Sequence, residues 1–173
     1  MAVKNIVIWP NPVLKEVSTE VVDFGSELQT IIKDLKDSMF EEPMAGLAAP
    51  QIGVNKRLFV MDIPKEENNG NGTDGPEVFI NPKVIASEGS FIWEEGCMSI
   101  PGYTGKVKRS KKIMMEYQNE HGQVIQREAL DYLSGCFQHE LDHLNGILWV
   151  DYQTVMKKNF IKKKMLSLKN STN

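Results

Sequence analysis

The segment His139-Glu140-Leu141-Asp142-His143 constrains this chain more than any other, because it sets two imidazoles one helical turn apart. Residues at i and i+4 share one face of a helix, so both rings can reach a single cation. The alternative is a pair of packed core histidines with backbone partners. Glu140 argues against that alternative, since a carboxylate beside two imidazoles is costly to bury unless something cationic compensates it.

The sequence around this segment predicts a buried helix. Apolar residues recur at helical spacing and mark one face of it: Leu130, Leu133, Phe137, Leu141 and Leu144. Asn145-Gly146 can end the helix with a left-handed cap. A metal site on such a helix needs a third protein ligand and an open position if it is catalytic.

The sequence after His143 excludes two familiar third ligands. The thermolysin-type arrangement uses a later glutamate, but Asp151 is the only acidic residue beyond His143. The metzincin pattern continues to a glycine and a third histidine. Gly146 fits that pattern, but Trp149 stands at the histidine position. Both types of metalloprotease are therefore disfavoured.

The two cysteines, Cys97 and Cys136, are the remaining candidates. Cys136 lies on the same helix as His143, about 10.5 Å away along the axis, whereas ligand atoms of one metal lie within ~4 Å of one another. We expect Cys136 to be a small apolar residue near the site. Cys97 follows Gly96 at the irregular end of a strand, and this local context allows either a ligand or a packed residue.

The remaining sequence predicts one α+β domain over 1–156 and a lysine-rich C-terminal helix or tail over 157–173. Ser26 and Gln29 resemble a capping box that begins an amphipathic helix, which continues to Pro43. A second helix is expected from about Gln153. Short antiparallel strands, packed around the metal-binding helix, are predicted within 57–63, 78–80, 83–86, 90–93, 106–108 and 113–117 and after the turn at 119–122. The stretch 65–76 is expected to be a loop too polar to pack.

Three segments together resemble the peptide deformylases. They occur in the family's order: Gly46-Leu47-Ala48-Ala49-Pro50-Gln51, then Glu95-Gly96-Cys97-Met98-Ser99, then Gln138-His139-Glu140-Leu141-Asp142-His143. The resemblance runs from Trp9 through the metal helix. It implies that Cys97 is the third metal ligand beside His139 and His143.

The resemblance implies a hydrolase that removes formate from the N-formyl-methionine end of newly made polypeptides. A metal-activated water attacks the formyl carbon, and Glu140 acts as general base and then as general acid. The Gln51 amide and the Met98 backbone N–H stabilise the oxyanion. One divalent ion is implied, with iron(II) expected in the native enzyme and zinc, nickel or cobalt as alternatives.

The resemblance also assigns residues around the substrate. The Gly46 backbone lies against the substrate amide, and four residues surround the methionine side chain: Trp93, Tyr132, Gly135 and Cys136. Glu95 and Arg109 form an ion pair that supports the cysteine-bearing loop.

Two positions depart from the family pattern. Met44 stands where the first motif usually begins with a glycine, which can restrict the loop over the substrate. Met98 replaces a leucine, and this change should be tolerated because only the backbone N–H of that residue is used.

Charge, cysteine usage and tail composition give the remaining expectations. The formal charge of −3 names no partner, and neither DNA nor a membrane is expected as one. Two cysteines and no apolar N-terminal run favour the cytoplasm. The six lysines after Met156 suggest contact with ribosomal RNA, and a solvated, frayed end is the alternative. A structural zinc protein remains a third function class beside deformylase and protease, but it lacks a fourth ligand.

Overall fold

The computed structural model describes residues 2–171, without the side chains of 170 and 171, so 172 and 173 of the predicted tail lie outside the described residues. Within these residues, three α-helices, several short 3-10 helices and two antiparallel sheets make up the fold, and the predicted α+β class is confirmed. The helices and strands are α1 Ser26–Glu41, β1 Gly46–Ala48, β2 Leu58–Met61, β3 Glu77–Glu88, β4 Phe91–Cys97, β5 Ile100–Arg109, β6 Lys112–Gln118, β7 Val124–Leu130, α2 Asp131–Leu144 and α3 Val155–Ser171.

The larger sheet has five strands in the order β1-β2-β3-β6-β7, and β4 and β5 form a separate two-stranded sheet. The predicted strands 78–80 and 83–86 are one strand, β3, because register shifts absorb the interruption between them. Asn81 adopts a left-handed φ of 49° there, and its side chain bonds both the N–H and the C=O of Val21. The fixed side chain stabilises a backbone conformation that asparagine tolerates well.

Helix α2 is fixed against the larger sheet by aromatic packing. The Phe137 ring lies edge-on to Phe59 and Phe79, with centroids 5.4 and 5.9 Å away. Leu133 and Leu144 are buried in the same cluster. The helix ends as predicted by a left-handed residue at Gly146, where a Cβ would lie 2.4 Å from the Lys15 carbonyl oxygen. Helix α2 is therefore anchored both along its length and at its end.

Helix α1 covers the face of the larger sheet opposite α2, and it begins differently from the prediction. Its buried face packs into a second apolar cluster through Leu28, Ile32, Leu35 and Met39. The capping box at Ser26 is wrong: Gly25 is the N-cap residue and no side chain caps the helix. Ser26 is already helical, so it cannot act from the flanking position that a capping side chain needs.

The prediction that 65–76 is too polar to pack is also wrong. Asn68 and Thr73 are buried. The Asn68 amide donates to the carbonyls of Asn71 and Leu130, and the Thr73 hydroxyl accepts from the Ile63 N–H. Hydrogen bonds compensate the burial of these polar groups, which composition alone does not reveal. Within 2–171, none of the helices has the length and apolar character needed to cross a membrane.

A candidate metal centre and its cavity

Helix α2 and the turn between β4 and β5 bring Cys97, His139 and His143 together. One side-chain atom from each of the three lies within 4.8 Å of the other two, and Cys97 Sγ is 3.4 Å from His143 Nε2. The two histidine side chains project from the same face of α2 because they are one turn apart. One thiolate and two imidazoles suit a borderline metal and leave a coordination position open.

The β4–β5 turn places the cysteine. The register of the two strands shifts between Gly96 and Cys97, so the chain closes with Cys97 opposite Ile100. The Ser99 N–H lies 3.5 Å from Cys97 Sγ and donates to it. Gly96 is tightly packed, since a Cβ there would lie 3.2 Å from Thr104 Cγ2. The turn is thus held by its own backbone and by the neighbouring strand.

Glu95 holds His139 from behind. Its carboxylate accepts two hydrogen bonds from the Arg109 guanidinium, at 2.6 and 2.9 Å, and lies 2.7 Å from His139 Nδ1. Burial alone would raise the pKa of Glu95, but the bonds from Arg109 and His139 lower the pKa to about 2. An ionised Glu95 keeps a proton on His139 Nδ1 and leaves Nε2 to face Cys97.

The two histidines differ in electrostatic environment. Burial disfavours the charged ring of His139, but its contacts with Cys97 and Glu95 outweigh burial and raise its pKa. Burial, together with the nearby His139, lowers the pKa of His143. A bound cation would replace the proton that His139 holds towards Cys97, because metal binding and protonation compete for the same lone pair.

Glu140 is buried with almost no hydrogen-bonding support. Its Oε1 atom has no partner among residues 2–171. Burial raises the pKa of Glu140 to about 7, with nearby His139 acting in the opposite direction. A carboxyl group with this pKa can both accept and release a proton near neutral pH. Glu140 and His139 line the same cavity.

The Gln51 side chain lies next to Cys97. Its Oε1 accepts from the Ala48 N–H at 3.0 Å, which fixes the side-chain amide with its NH₂ towards Cys97 Sγ (3.3 Å) and Ser99 Oγ (3.2 Å). The N-terminal segment bonds to the backbone at both Gln51 and Ser99. The Val7 N–H donates to the Gln51 carbonyl, and the Trp9 N–H donates to the Ser99 carbonyl.

A cavity of about 610 Å³ opens over these residues. Trp93, Tyr132 and Cys136 line one part of it, and the Trp93 and Tyr132 rings meet edge to face at 5.4 Å. Gly135 is not among the residues that line the cavity in the part of the chain described. It lies behind the indole, where a Cβ would be 2.4 Å from Trp93 Cζ2. Burial raises the pKa of the Cys136 thiol, which keeps it protonated.

Met44, Gly46 and Met98 also line the cavity, and Met98 lies in the β4–β5 turn. A Cβ at Gly46 would lie 2.9 Å from Glu140 Oε2, so only glycine allows strand β1 to pass this close to the carboxylate. Met44 lines the cavity and also packs against the cluster under α1.

The sequence reasoning did not single out three residues that complete the site. Ser99 accepts from Gln51, Asp142 accepts from Arg109 at 2.7 Å, and the Tyr152 hydroxyl donates to Asp142 at 2.8 Å. Ser99 and Asp142 lie within the second and third family motifs, and this position could have marked them as site residues. Tyr152 had none, because a later 3-10 helix, Trp149–Tyr152, brings it to the site.

Comparison with known proteins supports one family. The polypeptide deformylase family matches residues 3–159. A peptide deformylase of Rhizobium meliloti is 43% identical over 162 residues, covering 93% of this chain and 91% of its own, and peptide deformylase 1 of Shewanella oneidensis is 41% identical over 165 residues, covering 95% of each.

Solved structures agree with these sequence relatives. The crystal structure of peptide deformylase from Ehrlichia chaffeensis superimposes with a TM-score of 0.91 at 32% identity, covering 99% of each chain. A second structure from that organism, in complex with actinonin, gives a TM-score of 0.88 at 35% identity, with 95% of this chain and 96% of that chain covered. This chain belongs to the polypeptide deformylase family, which consists of hydrolases that remove a formyl group.

Proposed function

We propose that this protein removes the formyl group, as formate, from the N-terminal formyl-methionine of newly made polypeptides. The observation that carries the proposal is the buried Glu140 carboxylate, whose Oε1 has no partner among residues 2–171, beside the cluster of Cys97, His139 and His143. Glu140, Cys97 and His139 line one cavity. An acid–base group next to a three-ligand metal cluster is what metal-assisted hydrolysis of an amide needs. Family membership supports the choice of a formyl amide as substrate.

The donor set fits one divalent ion. Cys97, His139 and His143 would hold it, with iron(II) as the native ion and zinc, nickel or cobalt as alternatives. When bound, the ion supplies Lewis acidity, which lowers the pKa of water and stabilises negative charge on a carbonyl oxygen. Glu95 supports this function because it orients the His139 ring from the side away from Cys97.

Glu140 moves the protons. In its ionised form it takes a proton from the attacking water, and in its protonated form it delivers that proton to the amine nitrogen of the leaving methionine. Its low-polarity surroundings favour this exchange, because they bring the pKa of the carboxyl close to the working pH.

Two N–H groups serve the oxygen that becomes negatively charged. The Gln51 NH₂ is aimed between Cys97 and Ser99, and we assign one of its N–H bonds and the Met98 backbone N–H to this oxygen. The Ala48–Gln51 bond holds the amide in place before substrate arrives, so little reorganisation accompanies the reaction.

Substrate selection follows from the cavity. Trp93, Tyr132 and Cys136 provide an apolar wall for the methionine side chain, and the Gly46 backbone lies against the substrate amide. Glu140 and Gly46 leave no room for a side chain between them, so the acyl group near them should be small.

Formate release from an N-formyl-Met tripeptide tests the proposal, with protein purified without oxygen and loaded with iron(II) or nickel. We expect turnover of the formyl peptide and none of the acetylated analogue. Cys97→Ala should lose both the metal and turnover, and Cys136→Ala, which removes a protonated thiol outside the cluster, should keep the metal. Turnover by metal-free Cys97→Ala protein would refute the proposal.

Binding of actinonin gives a second readout. The Ehrlichia chaffeensis relative is described in complex with this compound, and the two chains superimpose over nearly their whole length. We expect actinonin to bind the metal-loaded protein and to compete with the formyl peptide. Calorimetry with and without the peptide measures both effects.

We also propose that the lysine-rich segment 157–173 contacts ribosomal RNA, where formylated chains emerge. Helix α3 extends past the residues that the family match covers and exposes Lys162 and Lys163. Phosphate attraction would make the contact salt-dependent. Lys162→Gln/Lys163→Gln should reduce both ribosome co-sedimentation at low salt and the salt slope, whereas Lys4→Gln/Lys33→Gln should not. Equal binding by both variants would refute this contact.

A further inference from the structure

The indole N–H of Trp93 reaches past the cavity wall into the network behind the metal cluster. Trp93 and Glu95 are two residues apart on β4, so their side chains leave the same face of the strand. Trp93 Nε1 donates to Glu95 Oε2 at 2.7 Å. A residue that lines the cavity is thereby joined to the carboxylate that orients His139.

The Glu95 carboxylate has four bonding sites, and all four are used. Oε2 accepts from Arg109 Nε and from the Trp93 indole, whereas Oε1 accepts from Arg109 Nη2 and pairs with His139 Nδ1. An ionised carboxylate offers about four lone-pair sites. Glu95 is only 4% exposed, so water cannot readily take the place of a missing donor.

The indole reaches Glu95 only because residue 135 is glycine. An ideal Cβ at Gly135 would lie 2.4 Å from Trp93 Cζ2 and 2.7 Å from Cη2, which no packed structure accommodates without moving the ring. Tyr132, one turn earlier on α2, meets the indole edge to face, with ring centroids 5.4 Å apart. Two residues of α2 thus contact the ring, while its N–H donates to Glu95.

We propose that Trp93 is a positioning residue, whose N–H fixes Glu95 and through it His139, and that Gly135 is the residue that permits this contact. The inference deepens the proposed function and rests on it for the turnover readout. Side chains such as leucine or isoleucine could line the cavity equally well, but neither could donate to Glu95.

Retention of nickel tests the proposal independently of deformylation. Trp93→Phe keeps an aromatic wall and removes the donor, so we expect nickel to dissociate into a chelator about tenfold faster. Incorporation of benzothienylalanine at position 93 keeps the shape of the indole and should give the same increase. Trp149→Phe is the matched control, because the indole N–H of Trp149 has no partner among residues 2–171 and its loss should leave dissociation unchanged.

Kinetics separate positioning from wall contact. A positioning role predicts that Trp93→Phe and the benzothienylalanine protein lower kcat for the formyl peptide, whereas a wall contact alone predicts a change in KM at unchanged kcat. Nickel dissociation that stays at the wild-type rate in both proteins would overturn the proposal. Absence of turnover in nickel-loaded wild-type protein would count against the proposed function, and the dissociation rates would still decide the role of Trp93.

The glycine is tested by a double-mutant cycle. Gly135→Ala should speed nickel dissociation in the wild-type background and have no further effect once Trp93→Leu has removed the indole. Equal effects of Gly135→Ala in the two backgrounds would show that Gly135 acts on something other than the Trp93–Glu95 contact, and would overturn that part of the proposal.

Discussion

Glu95 and Glu140 are buried to the same degree, 4% and 5% exposed, yet their surroundings differ in every other respect. Glu95 makes four hydrogen bonds to three residues, Trp93, Arg109 and His139, and its pKa is lowered to about 2. Glu140 has one oxygen, Oε1, without a partner in the described part of the chain, and burial raises its pKa to about 7. Burial therefore does not decide what a carboxylate can do. The number of donors aimed at it does, since donors stabilise the charged form that burial disfavours.

The largest difference should appear in turnover. Glu140→Gln keeps the size of the side chain and removes the proton transfer that we propose for it, so formate release should fall about 10²- to 10⁴-fold. The melting temperature of the same variant should stay level or rise, because a neutral amide replaces a poorly supported buried carboxylate. Parallel assays of formate release and thermal unfolding measure the two effects. Turnover close to wild type would remove Glu140 from the mechanism.

Glu95→Gln should behave in the opposite way and lower stability. Among residues 2–171, the change leaves the buried Arg109 guanidinium paired with a single carboxylate, that of Asp142. Breaking such a buried pair costs about 3 kcal/mol or more of unfolding free energy. Urea denaturation of metal-free protein measures the loss. Glu94→Gln, on the exposed side of the same strand, is the matched control and should change stability by less than about 0.5 kcal/mol. Equal effects of the two variants would contradict the comparison.

The two carboxylates should also give pH profiles of opposite slope. The folded pKa of Glu95 is lowered to about 2, so its contribution to stability is present above its unfolded value of 4.5 and is lost as the pH falls towards 2. The folded pKa of Glu140 is raised to about 7, so stability falls as the pH rises from 4.5 to 7. Difference curves between metal-free wild type and Glu95→Gln or Glu140→Gln isolate each slope. Slopes of the same sign would contradict the opposite pKa shifts of the two carboxylates.

Asp151 is an intermediate case with a smaller expected effect. It lies partly exposed and accepts from the Leu148 N–H, Lys15 and Lys158. Burial opposes its charge, but these bonds lower the pKa of Asp151, so the stability it contributes is lost as the pH falls below its usual range. Asp151→Asn should cost about 1 kcal/mol near neutral pH, since solvent screens partly exposed pairs. Denaturant midpoints of wild type and Asp151→Asn check this. They should differ at neutral pH and converge at acid pH.

The sequence could predict the elements that depend on local pattern. The α+β class, the left-handed end of α2 at Gly146 and the one-turn spacing of His139 and His143 follow from periodicity and from glycine chemistry. The capping box at Ser26 was wrong because several flanking residues can begin a helix, and the backbone selected Gly25. Where two adjacent residues can each serve as N-cap, the sequence pattern alone does not select between them.

Long-range polar contacts could not be predicted from local pattern. The burial of Asn68 depends on the carbonyl of Leu130, which is 62 residues away, and Tyr152 reaches Asp142 only because a 3-10 helix turns the chain back. The Trp93–Glu95 bond joins residues only two positions apart, but the sequence does not show that Gly135 leaves the space in which the Trp93 ring lies. Such contacts depend on register and on side-chain orientation, which hydrophobic patterning does not specify.

The close approach of β1 to Glu140 bears on how this protein can evolve. Gly46 pairs with Met61 in the sheet while its Cα hydrogen faces the carboxylate, so this position serves two neighbours at once. Any larger residue there must displace either the strand or the Glu140 side chain. Met44, which lines the same cavity without this contact, is a position where the cavity wall of this chain can vary while β1 and Glu140 stay in place.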